Sequence, residues 1–239
     1  MKVKLVSWTN NPIKTIYWAF MNMHNTVPDN LDDVNLSDSE AEDFFNMLLE
    51  QPHQTVLEYV NLNWLIEGAS RAFQQQLTRT RQAGYSIQSL RIVDVGNFAD
   101  DKRYSESSIV RNNPKWHKRY EDSMLLIQDL YRGMIGSGMP IEDARGILPL
   151  NVHSTITFTI NLQSLYHMLE LRFCDNTQEE FRDIAKVMRE EVSSKLGNIF
   201  VKPMRPICFS KGYCPSPVPC GKYGMEQRFK MDVSRWIKG

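Results

Sequence analysis

Polar and apolar positions alternate in three short stretches of the chain and recur at helical spacing in most of the rest. Lys2 to Trp8 reads as a first strand. Leu62, Trp64 and Ile66 alternate with Asn61, Asn63 and Leu65, giving a strand with one apolar face that Leu65 blurs. Ser154, Ile156, Phe158 and Ile160 alternate with three threonines, a β signal strengthened by branched side chains.

Helices are predicted from stop and start chemistry as much as from period. Asn11-Pro12 fits an N-cap followed by proline at the first helical position. Asn25 to Val34 is a polar connector, and Ser37 with Glu40 forms a capping-box signature before Phe44, Phe45, Met47, Leu48 and Leu49. Gly68 is expected to break the second strand, with Ser70 capping a helix through Ala72, Phe73 and Leu77 that runs into Arg79 and ends near Gly84. A long helix spans Trp116 to Ile135, a short one opens at Pro140, and another runs from Leu162 to Arg172. Asn176 and Glu179 begin the last long helix, which Gly197 ends. The pattern predicts an α+β fold: a single domain over residues 1–200 with a small, mostly antiparallel sheet flanked by long helices. Residues 201–239 follow as an irregular extension containing cysteine and proline.

The 239 residues are 42% apolar and 23% charged, ordinary for a globular chain with a real core. Lys plus Arg equals Asp plus Glu at 28 each, which disfavours a nucleic-acid partner but leaves room for one locally basic pocket. The chain carries neither a membrane-length apolar run nor the apolar core of a secretory leader, so a cytoplasmic protein is expected, in the host cytoplasm if the source is viral. In that compartment Cys174, Cys208, Cys214 and Cys220 are free thiols or metal ligands rather than a disulfide framework.

The densest polar constellation runs from Gln74 to Arg91. Arg79 and Arg81 cannot share a face of a regular helix, because residues two apart project about 200° from each other. From an unwinding helix end they can serve two ligands, with Ser89 and Arg91 returning to one of them. Guanidinium groups suit phosphate through paired donors, so this segment is a candidate anion site; a solvated helix end with surface arginines is the plainer reading. His53 to Glu58 leads into the preceding strand, and Asn161 to Arg172 closes an apolar helix on another arginine.

These residues resemble the flavin-dependent thymidylate synthases, whose signature is Arg-His-Arg, seven residues, then Ser-x-Arg. Here it reads Arg79-Thr80-Arg81, Ser89 and Arg91. The resemblance continues through His53-x-Thr55-x-x-Glu58, Ser70-Arg71 and Gln76, then Ala144-Arg145-x-x-Leu148-Pro149, Asn161-x-x-Ser164-Leu165, Leu171-Arg172 and Gln178-x-x-Phe181. It implies a homotetramer with shared active sites that binds FAD and dUMP, takes a one-carbon unit from methylenetetrahydrofolate and uses NADPH to give dTMP. By position, Gln76, Arg79, Ser89, Arg91, Arg145, His167 and Arg172 would contact the nucleotide. His53, Thr55, Glu58, Arg79, Thr80, Arg81, Asn161 and Gln163 would line the flavin. Arg79, Ser89 and Arg172 would stand at the reacting centre, Ser89 as an orienting donor, with electrostatic stabilisation as the main device.

Five positions depart from the family pattern. Thr80 replaces its histidine, and Tyr59 replaces a common histidine after Glu58. Ile87 stands where Glu or Gln is usual, Gln163 replaces an arginine, and His167 sits where asparagine is common. The phosphate arginines survive while flavin and base contacts change. That leaves two alternatives beside dTMP synthesis: another C5-modified pyrimidine, such as a hydroxymethyl nucleotide from dUMP or dCMP, and a non-catalytic nucleotide-binding homologue. The spacing of Cys208, Cys214 and Cys220 does not match the tight pairs of common zinc sites. Together with Cys174 they make a metal site only if the tail folds back; no metal is expected.

Overall fold

The computed structural model describes residues 1–24 and 27–224. Along the chain run β1 (Lys2–Trp8), α1 (Pro12–Asn22), α2 (Asp38–Glu50), β2 (Asn61–Ser70), α3 (Arg71–Leu77) and β3 (Ala83–Ile87). There follow α4 (Ser108–Arg111), α5 (Pro114–Gly136), α6 (Ile141–Ala144), β4 (His153–Asn161), α7 (Leu162–Arg172), α8 (Glu179–Leu196) and α9 (Ile207–Lys211). The class is α+β. Among the described residues no helix is long and apolar enough to cross a membrane.

Contacts divide the chain into two compact units that alternate along the sequence. The first holds Met1–Trp8 and Asn61–Ile160. Its sheet has the order β1-β2-β4-β3, with β1 antiparallel to β2 and β3 antiparallel to β4. The alternation read in β2 is real: Leu62, Trp64 and Ile66 are buried, as are Ile156, Phe158 and Ile160 on β4. The Phe158 ring lies parallel to Trp64 on one side, at a centroid distance of 6.3 Å, and to Tyr85 at 5.9 Å. A second cluster gathers Leu90, Phe98, Met124, Tyr131 and Val152, so α5 is held along one face only.

Two expectations here need correction. Gly68 does not end β2; the strand runs on to Ser70, with Gly68 at φ 76 where a Cβ would stand 3.3 Å from the Met1 Cα. The helix after Ser70 stops at Leu77, not near Gly84, and residues 83–87 form a strand that the periodicity did not reveal. Gly84 pairs with Thr159, and a side chain there would meet Thr159 Cγ2 at 3.2 Å. Glycine here lies inside a strand, close against Thr159, and is not a helix terminator.

The second unit holds Thr9–Val60 and Asn161–Gly239 and is helical in its described residues. A 3-10 turn at Thr55–Tyr59 contacts both α1 and α7, and α7 also packs on α8. The capping box is formed as read: Ser37 N donates to Glu40 Oε2 at 2.9 Å, and Glu40 N to Ser37 Oγ at 3.3 Å. Asn11 precedes α1 but does not cap it with its side chain; its backbone is left-handed at φ 47. Asn176 likewise does not start α8; its amide donates to Ser216 Oγ and the Val218 carbonyl instead. The extension contains α9, and its residues 225–239, like Asn25 and Thr26 of the connector, lie outside the described residues.

Candidate active site

In the first unit, Ser70 Oγ accepts from Phe73 N at 3.0 Å and sets the start of α3, placing Gln74 and Gln76 along one short helix. Arg79, Thr80 and Arg81 occupy the turn between α3 and β3. That turn is clamped by a residue the sequence reading did not single out. The Tyr85 hydroxyl, with one proton to give, lies between two carbonyl acceptors, 2.7 Å from Thr80 O and 2.9 Å from Leu77 O. Burial holds the Tyr85 phenol above its ordinary value, partly offset by the Thr80 bond, so it stays a donor. Arg79 and Arg81 are exposed, and among the described residues neither has an ion-pair partner.

Beyond β3, Gln88 bolts the chain to β4: its backbone N donates to Thr155 O at 2.9 Å, and Thr155 N donates to its side-chain oxygen at 3.2 Å. The Gln88 carbonyl in turn accepts from Arg71 Nη1 at 3.4 Å. Ser89 Oγ accepts from Arg91 N at 3.3 Å, a local turn contact. Arg91 reaches Glu142 through Nε at 2.9 Å and Nη2 at 2.6 Å, while Arg145 Nε donates to the Glu142 carbonyl at 3.2 Å. Glu142 thus brings together two predicted phosphate arginines that lie 54 positions apart in sequence.

A pocket of about 300 Å³ opens beside this cluster, lined by Arg71, Gln74, Gln75, Leu90, Arg145, Gly146, Leu148, Pro149, Leu150 and Val152. Its lining contains two arginines and no carboxylate. Burial, and then the positive charge of Arg145, hold the Arg71 guanidinium below its usual value. The side-chain oxygen of Gln74 is buried there without a hydrogen-bond partner. Two half-buried cations repelling each other across a neutral wall make a site short of negative charge.

The second unit holds the remaining predicted residues. His53, Thr55 and Glu58 are exposed at and just before the 3-10 turn. Asn161 caps α7, accepting from Ser164 N at 2.8 Å, so its oxygen already has structural work. Gln163 and His167 project one turn apart from α7 into a pocket of about 780 Å³ shared with Gln54, Tyr166, Glu170, Lys202 and Arg205. Gln163 Oε1 is buried with no partner, while His167 is exposed. Arg172 is half-buried over the Phe181 ring at 4.7 Å, and burial lowers its pKa. Predicted site residues therefore cluster around separate features in each unit: the arginine turn and pocket in one, the α7 face in the other.

Comparison with known proteins decides the kinship. The family model described as thymidylate synthase complementing protein matches residues 4–196. A flavin-dependent thymidylate synthase of Thermococcus onnurineus is 31% identical over 237 residues, covering 95% of this chain and 96% of that protein. This chain belongs to the flavin-dependent thymidylate synthase family. The relative from Geobacter sulfurreducens is 33% identical over 239 residues, covering 98% and 100% of the two chains. Among solved structures, the UMP/dUMP methylase PolB of Streptomyces cacaoi, bound with 5-Br dUMP, superposes with TM-score 0.71 at 19% identity, covering 84% of this chain and 93% of that one. The Helicobacter pylori synthase ThyX, complexed with FAD and dUMP, gives 0.66 at 18%, covering 86% and 100%. At those identities the likeness establishes a shared fold.

Arg71, Gln74, Tyr85 and Glu142 lie at or beside the pocket and the arginine turn, and sequence reasoning did not single them out as individuals. Arg71 was legible only as half of a Ser-Arg match. Tyr85 and Glu142 make contacts that no local spacing announces, and Gln74 lines the pocket with its side-chain oxygen unpartnered.

Proposed function

We propose that this chain transfers a one-carbon unit from methylenetetrahydrofolate to C5 of dUMP and reduces it to give dTMP. FAD is its cofactor, NADPH its reductant and a cytosolic homotetramer its working form. The observation that carries the reading is the acid-free pocket of Arg71 and Arg145, in a chain whose family relatives are named for this activity. Arg145 and Arg71 hold the nucleotide phosphate, with Gln76, Ser89 and Arg91 completing its donors. Arg91 exchanges the Glu142 carboxylate for phosphate when nucleotide arrives. Arg172 offers positive charge to the pyrimidine as electron density builds on it, and its half-buried position strengthens that effect.

FAD fits the residues present. Arg79 and Arg81 are exposed cations with no carboxylate partner among the described residues, suited to a diphosphate. Gln163 Oε1 is a buried acceptor that a ring N–H would satisfy. His53, Thr55, Glu58, Thr80 and Asn161 complete the set by family position. When bound, FAD supplies the redox chemistry that carries the one-carbon unit to the methyl level. The protein's own task is to align the pyrimidine, exclude water and stabilise developing charge.

A second reading, formation of another C5-modified pyrimidine, is favoured by Gln163 and His167 lining one pocket where both differ from the family pattern. One experiment separates the two. Purified protein is supplied with FAD, NADPH and methylenetetrahydrofolate, with dUMP or dCMP in parallel, and products are weighed by mass spectrometry. dTMP from dUMP is expected. A hydroxymethyl product, or turnover of dCMP, would replace the first reading with the second. Bound FAD and nucleotide without any product would overturn both.

A further inference from the structure

The helical unit carries a concentration of positive charge that the proposed reaction does not use. A pocket of about 470 Å³ lies between α8, the turn that follows α7, and the chain running through α9 to Tyr223. α8 supplies Arg182, Lys186 and Arg189 to it. Their spacing of four and then three residues sets all three on one helix face, beside the buried stripe of Ile184, Ala185, Met188 and Val192. Arg205 and Lys222 reach the same pocket from the chain after α8.

Acids do not balance these groups. Asp175 is the one carboxylate in the lining, and Lys222 Nζ already meets it at 3.2 Å. Lys186 pairs at 2.7 Å with Asp183, which stands outside the lining. Five cations against those two acids leave three positive charges in surplus. Arg182 Nη1 donates to the carbonyls of Asp175 and Thr177, which fix the guanidinium without neutralising it. Among the described residues neither Arg189 nor Arg205 has an ion-pair partner. Like charges gathered round one cavity repel until an anion joins them.

The pocket also offers rings. Phe209 and Tyr223 both line it and meet edge to face at a centroid distance of 5.1 Å. Arg205 stands over the Phe209 ring at 5.9 Å, and Lys222 over the Tyr223 ring at 5.6 Å. Cations interleaved with aromatic faces suit a ligand that joins a flat ring to several negative charges. A simple inorganic anion would answer the charge and leave the rings unused. The volume is that of a small-molecule site, which favours a single nucleotide over a nucleic-acid strand.

We propose that this pocket binds a nucleoside polyphosphate, its phosphates on the α8 cations and its base at the Phe209–Tyr223 pair. Guanidinium groups give phosphate oxygens paired donors, and the lysines add compact charge. This is a second nucleotide site: it shares no residue with the pocket of Arg71 and Arg145 and belongs entirely to the helical unit. Binding here does not require that the chain make dTMP.

The test is calorimetric titration of the full chain, with FAD and dUMP in excess so that the sites proposed for them are filled. ATP, GTP, CTP and dTTP are the probes, beside tripolyphosphate and a single-stranded oligonucleotide. At least one triphosphate should bind at one per chain, with tripolyphosphate about tenfold weaker because it lacks the ring. Lys186→Ala and Arg189→Ala should each weaken the nucleotide about tenfold, whereas Arg119→Ala, an exposed cation of the other unit, should change nothing. Both α8 side chains are exposed, so their loss leaves the core intact, and unchanged thermal unfolding checks this. Tyr223→Ala should weaken the nucleotide and spare tripolyphosphate. Failure of all four triphosphates to bind would overturn the proposal, as would binding that appears only when FAD and dUMP are left out. So would nucleotide affinity unaltered in both α8 variants, tripolyphosphate that matches the nucleotide, or an oligonucleotide that binds more tightly than any triphosphate.

Discussion

The pocket beside α3 and the pocket on α7 are built on opposite principles. The first is lined by Arg71 and Arg145 with no carboxylate, and Glu142, whose carbonyl accepts from Arg145, has its carboxylate engaged by Arg91. The second mixes Glu50 and Glu170 with Lys202, Arg205 and His167, so its charges can answer one another. Only the first is electrostatically incomplete without a ligand. It is also where the family pattern is intact, whereas Gln163 and His167 of the second depart from it. Recognition of a phosphate leaves little freedom in residue type, because it needs fixed paired donors. Recognition of a ring edge can be met by several amides and imidazoles, so those positions can change.

The strongest way to break this contrast is to discharge the first pocket. Arg145→Ala should weaken dUMP binding by about 2–3 kcal/mol, and Arg71→Ala by a similar amount. The double variant should lose less than the sum, since each substitution relieves the other's repulsion. Calorimetric titration of all three variants checks this, and strict additivity would mean the two arginines do not share a ligand.

Next in size is Tyr85→Phe. It deletes the one hydroxyl proton shared by the Leu77 and Thr80 carbonyls and should cost roughly 1 kcal/mol of unfolding free energy. It should also lower nucleotide and flavin affinity while leaving the stacking on Phe158 in place. Denaturant unfolding alongside titration tells loss of the turn from loss of the fold.

Gln163→Leu sharpens the comparison from the other side. If its buried oxygen serves a bound ring, the change should reduce FAD affinity by about 1 kcal/mol while making the ligand-free protein equally or more stable. A variant that unfolds more easily and binds FAD normally would make Gln163 a structural residue. The smallest effect belongs to Glu142→Gln. Releasing Arg91 from an exposed ion pair should raise dUMP affinity by a few tenths of a kcal/mol, more at low salt. Weaker binding would show that Glu142 supports the nucleotide site instead of competing for it.

Legibility in the sequence followed the range of the interactions. The Ser37–Glu40 box, the Ser70 cap and the alternation of β4 are set by neighbours within four residues, and each is present as read. β3 escaped because five residues that open on Ala83 and Gly84 carry almost no period; its identity comes from pairing with β4, about 75 positions away. The arginine motif stood out in the sequence as a cluster of cations and amides, yet its geometry did not. The turn at Arg79–Gln82 exists because Tyr85 reaches back from the strand, and Arg91 meets Arg145 through Glu142, 51 residues distant.

The measurement that bears most directly on the central claim compares dUMP with deoxyuridine, the same base and sugar without the phosphate. Intact protein with FAD should bind dUMP roughly a hundredfold more tightly, and Arg145→Ala should shrink that preference to a few-fold. Equal affinity for the two ligands in the intact protein, or an undiminished preference in Arg145→Ala, would contradict the assignment of the pocket to the nucleotide phosphate.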